Sequence, residues 1–363
     1  MTPTAIEGVG MPDDPTRRPE AACTHAPGPI LPAEVVARFE REATRGVCDT
    51  GRYRMPYYTW GQGPPLVFIH GAADTALSFR LVIGHLAASF RCIAYTLPQG
   101  AGDGARLGSY RHADLVEDLW ALFAHLGLER AYVLGSSFGS TIAISAMRHH
   151  PERIPRAILQ GGTAYRPLRF LERVLTFGLR FFPGKMAKLR RRERLLARIH
   201  RPCFEGLPEE VYRAFVDWTG EARLAALGHQ ARWLHGVDLR ADLPEIRQPV
   251  LLLHGDRDSV MPRRHADLLL AGLGSPGLVV LEGAGHVPCY THPEAMAEVV
   301  RQFLTPPGTK PDCAAVGRIG KPSYEGQGPK PDCVSTCSMP QANCAGPASP
   351  ACEGRHALPI SPS

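Results

Sequence analysis

The chain has 363 residues, a formal net charge of +6, and 44% hydrophobic against 21% charged residues. That is enough chain for a large buried core, and the balance is that of an ordinary water-soluble protein rather than a disordered or fibrous one. No apolar run reaches the length of a membrane-crossing helix, and residues 1–20 carry acids and prolines where a secretion signal needs an apolar stretch, so a cytoplasmic location is expected.

Residues 1–30 lack periodicity and are expected to be disordered. Residues 32–45 have helical spacing and lead into a hairpin over 53–60, closed by Gly61-Gln62-Gly63-Pro64-Pro65. Alternation follows: strand 66–69, helix 78–88, strand 91–95, helix 113–126, strand 131–134, helix 140–149 and strand 156–160. In the second of these helices Asp114, Glu117 and Asp118 alternate with Leu115, Leu119 and Leu122, which reads as a solvated face. Single helices between short apolar strands imply right-handed βαβ units, hence an α/β protein with a mostly parallel sheet and helices on both faces.

After Gly161-Gly162 the alternation breaks. About ninety residues precede the next apolar strand at Val250, far beyond an ordinary connection. They contain helical stretches at 168–182, 186–200, 209–219 and 223–234, a helical insertion expected to cross the strand ends. The expected organisation is thus a core over 31–163 and 247–305, a helical cap over 164–246, and a tail over 306–363. The tail is rich in Gly, Pro and Ser, repeats Lys-Pro-Asp-Cys at 310–313 and 330–333, and holds five of the ten cysteines. It has no C-x-x-C pair and is expected to be disordered rather than metal-bound.

The most informative pentapeptide is Gly135-Ser136-Ser137-Phe138-Gly139, a G-x-S-x-G between an apolar strand and a helix. A serine on so sharp a turn points its hydroxyl out from the sheet end, and the Phe138 N–H opens the helix where it can stabilise an oxyanion. Two further strands end in candidate partners: one in Gly255-Asp256-Arg257-Asp258, the other (278–281) in Glu282-Gly283-Ala284-Gly285-His286. All three groups lie past strand C-termini, where open α/β sheets hold their ligands. A serine hydroxyl needs a base such as His286, and that base needs a carboxylate to fix its tautomer.

Taken together these motifs resemble the α/β-hydrolase-fold serine hydrolases over about residues 50–305. The resemblance implies a nucleophile at Ser137, a base at His286, and an acid at Asp258, since Gly255, Asp258 and Pro262 fit the G-x-x-D-x-x-x-P of the family; Asp256 is the alternative acid, better suited to capping its turn. His70-Gly71-Ala72 fits the H-G-x turn of the family, which implies a second oxyanion donor at the Ala72 N–H beside Phe138. His70 itself reads as a packed turn residue, and Cys289 as a small buried hydrophobe. The implied activity is cleavage of a carboxylic ester of a small molecule with an apolar acyl part. Thioester, amide and carbon–carbon bond hydrolases use the same machinery, and a hydrolase-like binding protein without turnover is the non-enzymatic alternative. Epoxide hydrolases and dehalogenases carry Asp at the elbow, where this chain has Ser137.

No metal-protease, phosphate-loop or dinucleotide signature is present, so no cofactor or metal is expected. Between Arg166 and Arg201 twelve Lys/Arg face only Glu172 and Glu193. That stretch lacks the interleaved aromatics of a nucleic-acid surface, and no nucleic acid is expected. Peripheral contact with an anionic membrane is the alternative to a merely solvated basic face. In the cap, Leu171, Leu175, Phe181 and Phe182 are expected to line a dry tunnel, with Arg190, Arg191 and Arg192 facing water or lipid.

Overall fold

The computed structural model describes residues 32–100, 102–274 and 276–305, together with the backbone of Val316–Ile319. The N-terminal segment expected to be disordered and most of the cysteine-rich tail lie outside the described residues.

Nine strands form one sheet: β1 (Thr44–Asp49), β2 (Arg54–Trp60), β3 (Pro65–Ile69), β4 (Arg91–Tyr95), β5 (Tyr132–Ser136), β6 (Ala157–Gln160), β7 (Val250–Gly255), β8 (Pro276–Leu281) and β9 (Val316–Ile319). Their order is β1-β2-β4-β3-β5-β6-β7-β8-β9. The β1–β2 hairpin and the β2–β4 pair are antiparallel, and every other pair is parallel. β9 is a short strand that the sequence reading, which expected a disordered tail over 306–363, did not foresee. Without it β8 would be an edge strand with unpaired N–H and C=O groups, and the branched Val316 and Ile319 suit a strand.

Parallel strands are covered on both faces, which is why they read as unbroken apolar runs rather than alternating ones. In β3, Leu66 and Phe68 enter one core while Val67 and Ile69 enter the other. The first core also holds side chains of α1 (Pro32–Glu42), α2 (Arg80–Leu86), α10 (Pro288–Thr291) and α11 (Pro293–Leu304). The second holds those of α3 (His112–His125), α4 (Phe138–His149) and α9 (Arg264–Gly272). One acid on α3 departs from the expected solvated face. Asp118 is buried and paired with Arg52 at 2.8 Å, because the β1–β2 hairpin folds over that side of the helix.

Between β6 and β7 run α5 (Phe170–Leu179), α6 (Arg192–His200), α7 (Glu209–Gly220) and α8 (Leu224–Gly236). Helix α5 seats on α8 through a close approach: a Cβ at Gly228 would lie 2.7 Å from Thr176 O and Arg180 N. With Thr176 and Arg180 turned inward, no residue of α5 is buried. Leu171, Phe181 and Phe182 therefore point away from the body of the protein, and of the four residues expected to line a tunnel only Leu175 reaches the cavity. Arg192 departs in the other direction. It is 5% exposed, and lies inside the insertion rather than on its surface. Among the described residues no helix is long and apolar enough to cross a membrane.

Candidate active site

Ser137 caps the N-terminus of α4 with φ 50° and ψ −115°, a conformation that costs a non-glycine residue about 1–3 kcal/mol and persists only where its surroundings impose it. The surroundings are backbone packed too tightly for side chains. A Cβ at Gly135 would lie 2.7 Å from Gly139 O, and one at Gly139 would lie 2.3 Å from Ile69 O. The two glycines of the pentapeptide are thus required by contact between β5, α4 and β3.

His286 follows β8, and its Nε2 accepts from Ser137 Oγ at 2.9 Å. Its Nδ1 donates to Asp258 Oδ2 at 2.7 Å. Asp258 follows β7 and also accepts from the N–H groups of Val260 (2.9 Å) and Met261 (2.8 Å). Burial pushes the Asp258 carboxyl up, but the bond to His286, its charge and the Met261 N–H together hold it below the usual carboxylate range. An ionised acceptor at Oδ2 fixes the proton of the neutral imidazole on Nδ1 and leaves Nε2 facing the serine. The two loops meet because Gly255 lets them: a Cβ there would lie 2.3 Å from Ala284 O. Asp256 turns elsewhere and accepts from Gly283 N–H at 2.8 Å.

Residues 64–293 match the family described as the alpha/beta hydrolase fold. The chain belongs to that family. It is 29% identical over 255 residues to a pimeloyl-[acyl-carrier protein] methyl ester esterase of Aeromonas hydrophila, covering 68% of this chain and 97% of that one. It is 29% identical over 271 residues to a 2-hydroxymuconate semialdehyde hydrolase of Pseudomonas sp. strain CF600, covering 70% and 90%. Among solved structures, a thermophilic esterase from Thermogutta terrifontis shares the fold with a TM-score of 0.64 at 22% identity, over 72% of this chain and 98% of that one.

In this hydrolase the turn after β3 closes over the serine. A Cβ at Gly71 would sit 3.1 Å from Ser137 Cβ, so Gly71 presses directly on the elbow, and Ala72 beside it lines the same cavity. His70 holds that turn. Its Nδ1 bonds Gly71 O at 2.7 Å and its Nε2 accepts from Leu97 N–H at 2.9 Å, while burial pushes its imidazole down to about 4. It is a neutral structural pin, as its place in the sequence suggests. Ala73, at φ 62°, donates its N–H to Gln230 Oε1 of α8 at 3.1 Å, which ties the turn to the insertion.

Two supporting residues are not evident from motif reading. Gln160, at the end of β6, is fully buried. Its backbone O accepts from Ser137 N–H at 2.8 Å, and its Nε2 donates to His286 O at 3.2 Å, so one residue braces both the elbow and the histidine loop. A glutamine closing an otherwise apolar Ala-Ile-Leu run was the available signal. The second is Gly161, directly after it, which lies against the imidazole.

Above these groups is a cavity of about 400 Å³, lined by Ser137, His286, Ala72 and Cys289 below and by Leu175, Met186, Leu196 and Phe215 of the insertion above. Burial pushes the Cys289 thiol far up, so it contributes an uncharged wall. Charged or titratable groups on its wall, beside His286, are Asp74, Arg166, Glu172, Arg192 and His200. Desolvation raises the Asp74 carboxyl to about 7, against the opposing pull of Ser78, Thr75, Arg192 and His286.

Proposed function

We propose that the enzyme hydrolyses carboxylic esters through an acyl-enzyme formed on Ser137, with His286 as base and then acid and Asp258 as its orienting carboxylate. The observation that carries this reading is the unbroken row of hydrogen bonds, 2.9 Å from Ser137 Oγ to His286 Nε2 and 2.7 Å from His286 Nδ1 to Asp258 Oδ2, opening onto a largely apolar cavity.

The steps follow from that row. His286 Nε2 takes the hydroxyl proton as Oγ attacks the ester carbonyl, and ionised Asp258 stabilises the imidazolium. The carbonyl oxygen becomes an oxyanion in reach of the Phe138 N–H at the positive end of α4 and the Ala72 N–H across the elbow; one such donor is worth about 3–4 kcal/mol of barrier. His286 then protonates the departing alcohol, and a water deprotonated by the same Nε2 releases the acid. The predominantly apolar upper wall supports a substrate with an apolar acyl part.

The outer face of α5 supports peripheral contact with an anionic bilayer. Phe170 and Leu171 are 79% and 67% exposed, Phe181 just beyond the helix is 71% exposed, and Arg169 and Arg173 lie beside the first two in the sequence. Large apolar side chains with cations beside them are the composition that sits at a headgroup boundary. The inner residues of the same helix line the cavity, so a lipid-soluble ester would meet the entrance at the surface.

The test is a fluorophosphonate probe on the native enzyme, followed by peptide mapping, with p-nitrophenyl acetate turnover measured beside it. Covalent label on Ser137 with matching loss of turnover is expected. A native enzyme that neither labels nor cleaves any ester, thioester or amide overturns the reading in favour of a binding protein.

A further inference from the structure

Arg192 is the first residue of α6 and lines the same cavity as Ser137 and His286. Its Nη2 donates to Thr219 Oγ1 on α7, but its Nε is enclosed and has no hydrogen-bond partner. Among the described residues no carboxylate lies within 4.0 Å of its guanidinium, and Glu193 and Asp217 act on it only through space. A guanidinium cannot shed its charge at any ordinary pH, so burial without a counter-ion is a standing cost.

The two acids on the cavity wall do not meet that need: Glu172 is paired with Arg166 at 3.0 Å, and Asp74 is committed elsewhere. Asp74 accepts from Ser78 Oγ and from Thr75 N–H at 2.9 Å, which commits Oδ1 to its own turn. Its carboxyl is also held near 7, so it carries only part of a negative charge at neutral pH. The cavity wall therefore combines apolar side chains with two cations, Arg166, met by Glu172 at 3.0 Å, and Arg192, which has no such counter-ion. A complementary guest is apolar along its length and anionic at one point, with a planar oxyanion that a guanidinium edge can grip.

We propose that Arg192 anchors a carboxylate on the substrate, so that the preferred esters are those whose acyl or alcohol part carries a second, free carboxylate. This rests on the reading of Ser137 as the ester-cleaving nucleophile. Desolvated contact between Arg192 and that carboxylate would fix the distance from the charged end to the scissile carbonyl. Selectivity then takes the form of one favoured chain length rather than a steady rise with length.

The experiment compares p-nitrophenyl half-esters of succinic through suberic acid with p-nitrophenyl alkanoates of the same chain length, in the wild type, Arg192→Gln and Arg192→Lys. The expected result is a kcat/KM ratio of half-ester to alkanoate of about tenfold or more at one length, carried in KM, as one charge-assisted contact allows. In Arg192→Gln that ratio falls about tenfold, and Arg192→Lys recovers part of it. Calorimetric titration with free adipate and with hexyl phosphate gives an independent readout, with adipate heat expected in the wild type and absent in Arg192→Gln. Alkanoates favoured at every length, an unchanged ratio in Arg192→Gln, or binding of the phosphate but not the dicarboxylate would each overturn the proposal. Should Arg192→Gln fail to fold, the wild-type ratio and the Lys variant decide. Arg192-dependent adipate binding without labelling of Ser137 sinks the esterase reading and keeps the subsite; labelling without half-ester preference does the reverse.

Discussion

A Cβ on Gly161 would lie 3.2 Å from both Cε1 and Nδ1 of His286, and 3.3 Å from Asp258 Oδ2. Gly161 also holds φ 52°, so a side chain there meets steric crowding and backbone strain together. Gly161→Ala is expected to displace the imidazole by a few tenths of an ångström and lower kcat by about 10–100-fold, with KM little changed. Gly127 is the control: its φ is 64°, and nothing lies within 4 Å of a Cβ there. Gly127→Ala carries the same backbone cost, so its thermal stability falls similarly while kcat stays put. Equal activity in the two alanine variants would remove Gly161 from the support of His286.

The row of three side chains makes its own forecast. Ser137→Ala and His286→Ala are each expected to lower kcat by about 10⁴-fold or more, since nucleophile and base act as a unit. Asp258→Asn should leave more residual turnover, because serine and imidazole remain. Asp256→Asn is expected to cost stability through its Gly283 N–H contact, and little activity. Ester kinetics and melting curves on the four variants check this, and a crippled Asp256→Asn enzyme would shift the acid role to that residue.

The buried His70 and the partly buried Asp74, both near the elbow, set opposing pH dependences. His70 is held near 4, so the unfolded chain, with an ordinary histidine near 6.5, binds more protons between those values. Stability from this group is present above pH 6.5 and falls as pH drops to about 4, by at most about 1.4 kcal/mol per pH unit. Asp74 is raised from 3.8 to about 7, so the folded chain holds the extra proton and stability falls as pH rises through that window. Urea unfolding at several pH values between 4.5 and 7.5 separates them. Asp74→Asn should steepen the loss of stability on acidification, and His70→Gln should flatten it.

For the outer face of α5, sedimentation with phosphatidylserine vesicles is the direct measurement. Arg169→Gln with Arg173→Gln should weaken binding by about 1 kcal/mol per charge removed, and added salt should do the same. Phe170→Ser with Phe181→Ser should weaken it without changing the salt dependence. Wild-type protein that stays in the supernatant at low salt would return this face to plain solvent.

Much of the site was legible in the sequence because its chemistry is local. Ser137 lies in a short pentapeptide between a strand and a helix, and Asp258 and His286 each follow closely on an apolar strand, although Gly139 answers to Ile69 on the distant β3. What escaped depends on which surfaces meet in three dimensions. Spacing marks Asp118 and Arg192 as helical residues with charged neighbours, but it cannot say that a hairpin covers the first or that α7 encloses the second. Leu171 and Phe181 failed the opposite way. Their apolar character suggested an inward stripe, yet the glycine contact at 228 turns α5 onto its Thr176 side. Gln160 and Gly161 act through contacts with a loop more than 120 residues distant, which no local pattern encodes.

The pairing of Val316–Ile319 with β8 bears on how this chain can be handled. A protein trimmed after Thr305 would keep the candidate site described above and still behave badly. Its sheet would end in Pro276–Leu281 with one row of backbone donors and acceptors bare, a template on which a second molecule can add a strand. Such a trimmed enzyme should clump at high concentration while each remaining monomer turns over normally, so that the stretch looking most dispensable serves to keep copies of the protein apart.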